Sequence, residues 1–188
     1  MKNRPIAALA LLALLAACGG PELRYAVPQI APTEKVSIAF ASVEVREITL
    51  PTYAALEEIF VETPEGVITT ADKLLWADDP ARAATLELSR ALGLSTGARV
   101  APEPWPFDDF AEARVEVRVE EFLADAQGRF RVAGQYFVAT RDALGRDKAE
   151  TFAIAVPIPE APGAAGLAAA RAKAMTELAE LIAKSGLR

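Results

Sequence analysis

Residues 113–120, with the sequence ARVEVRVE, decide the fold because apolar and charged side chains alternate along them without interruption. A period of two residues predicts a β-strand that buries one face and exposes the other to water. The same period returns over 130–138 and 152–156, and the turn-forming sequences DAQG (125–128) and DALG (142–145) separate the three segments. The stretch therefore predicts an antiparallel meander of three strands.

Four further strands are predicted from shorter patterns upstream of the meander. In the first of them the alternation changes phase near Ala41 and Ser42, which indicates a β-bulge. The sequence PEG at 64–66 is typical of a turn between two strands, and the three prolines of 98–107 exclude a helix there. The predicted strands cover residues 35–47, 57–63, 67–75 and 99–101.

The first of two predicted helices begins at Asp79, because an aspartate suits the N-cap position and Pro80 suits the first helical turn. Gly93 and Gly97 are predicted stop signals. Apolar residues at helical spacing between these limits predict the face that packs against the sheet. That stripe consists of Ala84, Leu88, Ala91 and Leu92.

A long second helix is predicted at the C-terminal end, over residues 164–184. Its solvated face is expected to carry the i,i+4 ion pairs Lys173–Glu177 and Glu180–Lys184. The positions expected to face the core are Leu167, Ala170, Ala174, Leu178, Leu181 and Ile182.

These elements together predict an α+β fold. We expect a two-layer sandwich in which a mainly antiparallel sheet carries both helices on one face. The folded domain is expected to cover residues 34–188, and a tether rich in glycine and proline is expected to precede it at 18–33.

The N-terminus has the organisation of a secretory signal peptide. Lys2 and Arg4 precede an uninterrupted apolar run at 6–17. As a helix, this run of twelve residues would be about 18 Å long, which is short of the ~30 Å hydrocarbon core of a membrane. Residues 1–17 are therefore predicted to be a targeting segment that is removed, and not a stable membrane span.

The end of this leader, Leu15-Ala16-Ala17-Cys18, resembles the lipobox of bacterial lipoproteins. The resemblance implies cleavage between Ala17 and Cys18 and attachment of acyl chains to Cys18, which then anchor the chain to a membrane. Glycines at positions 19 and 20 favour the outer membrane, facing the periplasm, over the inner membrane. The alternative is an ordinary signal peptide that is cut nearby and leaves Cys18 as a free thiol.

Composition narrows the chemistry of the mature chain. The sequence has no histidine and a single cysteine, which excludes Ser-His-Asp and Cys-His catalysis and zinc sites built from these residues. The full chain has a net charge of −6, and loss of Lys2 and Arg4 with the leader brings it to −8. Because no stripe of lysine and arginine is present, nucleic acid is not expected as a partner. We expect no enzymatic activity, no cofactor and no metal.

Aromatic residues form the remaining candidate site. They lie around proline-rich turns, and tryptophan favours interfaces between apolar and aqueous surroundings. Such residues can line a surface for a partner or a lipid, or they can pack in the core at the end of the sheet, and both interpretations stay open. The residues concerned are Trp76, Trp105, Phe107 and Phe110.

Several short motifs resemble those of the ABC-type transport auxiliary lipoproteins, the PqiC-like family of Gram-negative envelopes. The resemblance covers nearly all of residues 18–184. One departure is Tyr25-Ala26-Val27-Pro28, where members of the family often have Tyr-Tyr-Thr-Leu. The matching motifs are Arg24-Tyr25, Leu50-Pro51-x-Tyr53, Leu75-Trp76-Ala77 and Pro104-Trp105, in that order.

The resemblance implies a part in moving lipid between membranes. Such lipoproteins work with an MCE-domain protein, as a docking or stabilising component and not as the motor, and some members self-associate. Two alternatives remain: a lipoprotein that itself binds lipid or another small ligand, and an assembly factor for outer-membrane proteins. An apolar cavity of about 300–1,000 Å³ would favour the ligand-binding alternative.

Overall fold

The computed structural model describes residues 22–141 and 147–188. The predicted signal peptide, its cleavage position, the predicted lipid attachment at Cys18 and the predicted turn at 142–145 all lie outside the described residues. The elements in chain order are β1 (Leu23–Tyr25), β2 (Ser42–Val45), β3 (Glu58–Glu62), β4 (Ile68–Trp76), α1 (Pro80–Thr96), β5 (Arg99–Pro102), β6 (Ala113–Ala124), β7 (Arg129–Thr140), β8 (Lys148–Pro157) and α2 (Ala165–Leu181).

The predicted meander forms one side of the sheet, with β6 inside the sheet and β8 at the edge. Strand β7 pairs antiparallel with β6 on one side and with β8 on the other. The alternation of 113–120 places Val115 and Val117 in the core, where neither is accessible to solvent. The predicted turn at 125–128 closes the first hairpin, where Asp125 N donates a hydrogen bond to Arg129 O at 2.7 Å.

The α+β class is confirmed, and the sheet is mixed: its longest pairings, β6 with β7 and β7 with β8, are antiparallel, and shorter parallel pairings complete it. Strands β2 and β3 lie one after the other along the same edge of β6, and both run parallel to it. Beyond them, β5 pairs parallel with β2, β4 pairs antiparallel with β3, and β1 pairs parallel with β4. Parallel neighbours need a long crossover connection, and helix α1 lies in the connection between β2 and β5.

The strand predicted over 35–47 is much shorter in the structure, because only Ser42–Val45 pairs in the sheet. Its first half crosses the ends of both helices, where Val36 N donates to Ser95 O and Ala39 N donates to Leu187 O, each at 2.8 Å. The alternation there reflects burial of every second side chain against helix ends. It does not reflect a neighbouring strand.

Helix α1 begins as predicted, since the Asp79 carboxylate accepts a hydrogen bond from Arg82 N at 2.7 Å. The predicted apolar stripe is buried. The helix passes through Gly93 and ends at Gly97, whose φ of +70° is the left-handed conformation of a helix C-cap.

Helix α2 covers Ala165–Leu181 and continues into one wide turn over Ile182–Gly186. It packs against α1, β7 and β8. The predicted pair Lys173–Glu177 is present at 3.8 Å. Glu180 instead accepts a hydrogen bond from Thr33 N at 3.0 Å, and Lys184 instead pairs with Glu34 at 2.6 Å. These contacts hold the end of the predicted tether against the helix.

The predicted tether is further shortened at its start, because residues 23–25 form strand β1. Tyr25 O also accepts a hydrogen bond from Ala77 N at 3.0 Å. The residues that lie between Cys18 and the sheet are therefore only 19–22.

Candidate functional site

The four aromatic residues singled out in the sequence divide into a buried group and an exposed group. Trp76 is the last residue of β4 and is buried in the core. The guanidinium of Arg171, on α2, lies 4.6 Å from the centre of its ring and 5.0 Å from that of Phe122. Trp76 is therefore a core residue, and it also lines a small pocket.

Arg171 forms a buried ion pair with Glu87 of α1. Arg171 Nη2 lies 3.1 Å from Glu87 Oε1 and donates a second hydrogen bond to Pro80 O at 3.4 Å. Within residues 22–141 and 147–188, Glu87 Oε2 and Arg171 Nε and Nη1 have no hydrogen-bond partner. The guanidinium is held instead between two aromatic faces, where a cation is attracted electrostatically.

Burial dominates the protonation equilibria of this pair. Burial raises the pKa of the Glu87 carboxyl, although the charge of Arg171 acts in the opposite direction. Burial lowers the pKa of Arg171, although Glu87 opposes that shift. An arginine stays protonated nevertheless. The pair therefore joins two helices at an electrostatic cost.

A small pocket opens beside this pair. It has a volume of about 190 Å³, and its walls include Tyr25, Trp76, Glu87, Arg90 and Arg171. Pockets that hold drug-sized ligands have volumes of about 300–1,000 Å³. This pocket therefore has room for a few waters or a small polar group but not for the acyl chains of a lipid.

The other group lies in the proline-rich loop before β6, where Trp105 is half-buried and Phe107 and Phe110 are exposed. The Trp105 and Phe107 rings meet edge to face, with their centres 4.9 Å apart. The Arg99 guanidinium lies over both rings, 4.6 Å from the centre of Phe107 and 5.6 Å from that of Trp105. Asp109 accepts hydrogen bonds from Trp105 Nε1 and from Arg99. The hydrogen bond from Arg99 lowers the pKa of the Asp109 carboxyl.

Phe110 extends this group toward the end of β7. Its side chain is 71% exposed, and the Arg141 guanidinium lies 4.1 Å from its ring centre. Phe107 is 43% exposed. The backbone holds the two segments together, because Arg141 N donates a hydrogen bond to Glu112 O at 3.0 Å. We call Arg99, Trp105, Phe107, Phe110 and Arg141 the aromatic surface.

Three aspartates beside the helix and the proline-rich loop have structural partners. Asp78 pairs with Arg82, Asp79 caps α1, and Asp109 pairs with Arg99 of the aromatic surface. In the described ranges, no group of three or more His, Cys, Asp or Glu side chains is placed to hold a metal ion. No helix in these ranges has both the length and the apolar character needed to cross a membrane.

Sequence reasoning missed Arg171, although a signal for it was present. Arg171 lies on the same helical face as Leu167, Ala174 and Leu178, at spacings of four and three residues. A charged residue on an otherwise apolar face is either paired or misplaced. The sequence gives no comparable signal for Arg99, which lies on β5, or for Arg141, which directly follows β7.

Comparison with known proteins identifies relatives of the whole domain. A family model described as "ABC-type transport auxiliary lipoprotein component" matches residues 25–183. The crystal structure of an uncharacterized protein superposes with a TM-score of 0.71 at 16% identity, covering 87% of this chain and 97% of that one. A crystal structure of a Xanthomonas campestris protein also gives 0.71, at 18% identity, covering 88% and 94%.

PelC from Paraburkholderia phytofirmans, whose structure is a dodecamer, gives a TM-score of only 0.45 at 14% identity, covering 83% of this chain and 97% of PelC. That likeness is too distant to support an argument about this chain. No curated protein matches the sequence. The two structures with the higher TM-score share the fold.

Proposed function

Because the chain belongs to the ABC-type transport auxiliary lipoprotein family, we propose that it is a periplasmic subunit of an ABC/MCE-type lipid transport system, anchored to a membrane through Cys18. Members of this family are auxiliary transport components of the cell envelope. In our proposal the chain has no enzymatic role and acts by docking to, or stabilising, an MCE-domain protein.

The single observation that carries the docking role is the exposure of the aromatic surface. Phe110 is 71% exposed and Phe107 is 43% exposed, so both rings are accessible to a partner. Aromatic side chains and arginine are the residue types most enriched among those that dominate binding energy at protein interfaces. Arg99 and Arg141 are already positioned over these rings, so little ordering is needed on binding.

The position of the aromatic surface in the fold suits a docking role. It lies at the start of β6, whereas the β3–β4 hairpin lies at the end of β6, where Val61 pairs with Ala124. The twelve residues of β6 separate these ends by about 37 Å, at about 3.4 Å per residue. A partner could therefore be engaged well away from the other end of the domain.

The ligand-binding alternative is weaker. The pocket beside Trp76, at about 190 Å³, is smaller than typical ligand sites. Larger depressions of about 470 and 430 Å³ are open grooves, one between α1 and β5 and one between the end of α2 and β8. We therefore favour docking over carriage of cargo by this chain.

The test is purification of the full-length acylated protein from Gram-negative envelopes, compared with a Phe107→Ala/Phe110→Ala variant. We expect the wild-type protein to retain an MCE-domain protein and the variant to lose it. Leu94→Ala is a matched control, since Leu94 is also an exposed apolar residue but lies on α1. Recovery of stoichiometric lipid without an MCE-domain protein would support the carrier alternative instead.

Location and self-association belong to the same proposal. Glycines at positions 19 and 20 support the outer membrane as the site of the anchor. Density-gradient separation of inner and outer membranes tests this, and recovery in the inner-membrane fraction would contradict it. Chemical crosslinking of the acylated protein in intact envelopes tests whether copies of the chain associate.

A further inference from the structure

The β3–β4 hairpin presents apolar side chains to solvent. Its turn is closed by a hydrogen bond of 2.8 Å from Thr63 N to Val67 O, and by Gly66 at φ +79°, a conformation that favours glycine. Val67 is 58% exposed and Ile68 is 42% exposed. These two neighbouring residues lie outside the core, so an apolar phase that covered them would stabilise the contact.

The direction of β1 leads back toward this hairpin. Strand β1 runs parallel to β4, with Leu23 opposite Leu74, so the N-terminal ends of both strands point the same way. On β3, Glu58 lies opposite Leu75 and Glu62 lies opposite Ile68. Because these two β3 residues are four apart, the hairpin extends about 13 Å beyond the level of Leu75.

The chain between Cys18 and the sheet is short. Cys18 is four residues before Glu22, and a chain of that length spans at most about 14 Å when fully extended. A membrane that holds acyl chains on Cys18 therefore lies within about 14 Å of Glu22. Arg24 lies opposite Leu75, so Glu22 is about 7 Å beyond the level of Leu75 in this direction, and Ile68 lies about 6 Å beyond Glu22. The hairpin therefore reaches a level that lies within the span of the chain between Glu22 and Cys18.

We propose that the β3–β4 hairpin rests in the headgroup layer of the membrane that holds the lipid on Cys18, with Val67 and Ile68 entering the boundary between headgroups and acyl chains. This inference rests on the proposed acylation of Cys18. It makes the hairpin a membrane contact and directs the aromatic surface, at the other end of β6, away from the bilayer.

The charged residues in and near the β3–β4 hairpin favour one kind of lipid surface. Glu65 is exposed in the turn, and Glu62 is paired with Arg131 at 3.4 Å. Lys73 on β4 is exposed and adds one positive charge. Because the net charge of the whole chain is also negative, a zwitterionic surface fits the hairpin better than an anionic one.

The experiment uses full-length protein, purified from membranes and reconstituted into phosphatidylcholine vesicles that contain a lipid-borne fluorescence quencher. A Val67→Cys variant carries an environment-sensitive fluorophore, and Asp108→Cys is the control at the opposite end of β6. Both residues are exposed, so the fold is expected to tolerate both changes. Wild-type protein should take up no label, because its single cysteine is blocked by lipid.

We expect several-fold stronger quenching at position 67 than at position 108, and no increase when anionic lipid is added. Equal quenching at both positions in a fully acylated, vesicle-bound protein would overturn the hairpin contact and leave the anchor intact. Labelling of Cys18 in the wild-type protein, with no binding to vesicles, would instead overturn the anchor and the contact with it.

Discussion

Trp76 and Trp105 both lie within 6 Å of an arginine, but in opposite surroundings. Arg171, beside Trp76, is fully buried and has lost its hydration, which Glu87 and two aromatic faces replace only in part. Arg99, beside Trp105 at 5.6 Å, is nearly half exposed and keeps contact with water. The same pair of residue types therefore lies in the core beside a buried ion pair in one region and at the surface in the other.

The largest expected effect comes from breaking the buried arrangement. An Arg171→Ala substitution leaves the Glu87 carboxylate buried without its partner, and loss of one member of a buried pair costs about 3–5 kcal/mol. We expect a reduction of that size in the free energy of unfolding, measured by urea denaturation. Arg99→Ala is the matched control and should cost far less. Equal losses in the free energy of unfolding for the two substitutions would contradict the difference that we infer between the buried and the exposed arginine.

The contrast is sharpened by replacing both members of the buried pair. Burial disfavours the charged form of both residues. The free energy of unfolding of an Arg171→Met/Glu87→Leu double variant should therefore equal that of the wild type or exceed it by up to about 4 kcal/mol. A thermal or urea unfolding curve measures this. A double variant as unstable as Arg171→Ala would mean that the pair contributes through interactions other than its charges.

A smaller effect is expected from pH. Since burial raises the pKa of Glu87 in the folded state, the folded protein binds more protons than the unfolded chain above the ordinary glutamate pKa of about 4.3. Glu87 therefore stabilises the fold below that pH, and its contribution is lost as the pH rises through the raised pKa. In a Glu87→Gln variant this part of the pH dependence of unfolding should disappear. An unchanged profile would contradict the assignment.

The smallest expected effect on stability lies at the exposed surface. A Phe110→Ala substitution removes a ring that is mostly in water, so the free energy of unfolding should change by no more than about 0.5 kcal/mol. Calorimetry or urea denaturation measures it. A loss of 2 kcal/mol or more would show that Phe110 supports the fold and is not free for a partner.

The sequence predicts local features well, because each depends on neighbouring residues. The alternation over 113–120 forms β6, and the Asp79 carboxylate caps α1. The parallel pairing of β2 and β3 with β6 was not predicted, because it depends on contacts between segments far apart in the chain. For the same reason the extent of β2 was overestimated, since burial against helix ends gives the same pattern as burial against a sheet.

The candidate site shows the same division between local and distant causes. The sequence grouped Trp76 with Trp105, Phe107 and Phe110 because all four lie near turns. Their burial is decided by α2, which brings Arg171 onto the ring of Trp76, whereas Trp105 stays half-buried in its loop. No local pattern contains that information. The prediction for Cys18 rests on local sequence alone, and it stays a prediction.

The most direct test of the central claim is site-specific photocrosslinking from the aromatic surface in intact envelopes. A photoreactive phenylalanine analogue at position 107 should form an adduct with an MCE-domain protein, whereas the same group at position 127, in the turn at the opposite end of β6, should not. Absence of that adduct from position 107, while the acylated protein is present in the envelope, would contradict the claim that this surface docks the chain to its transport partner.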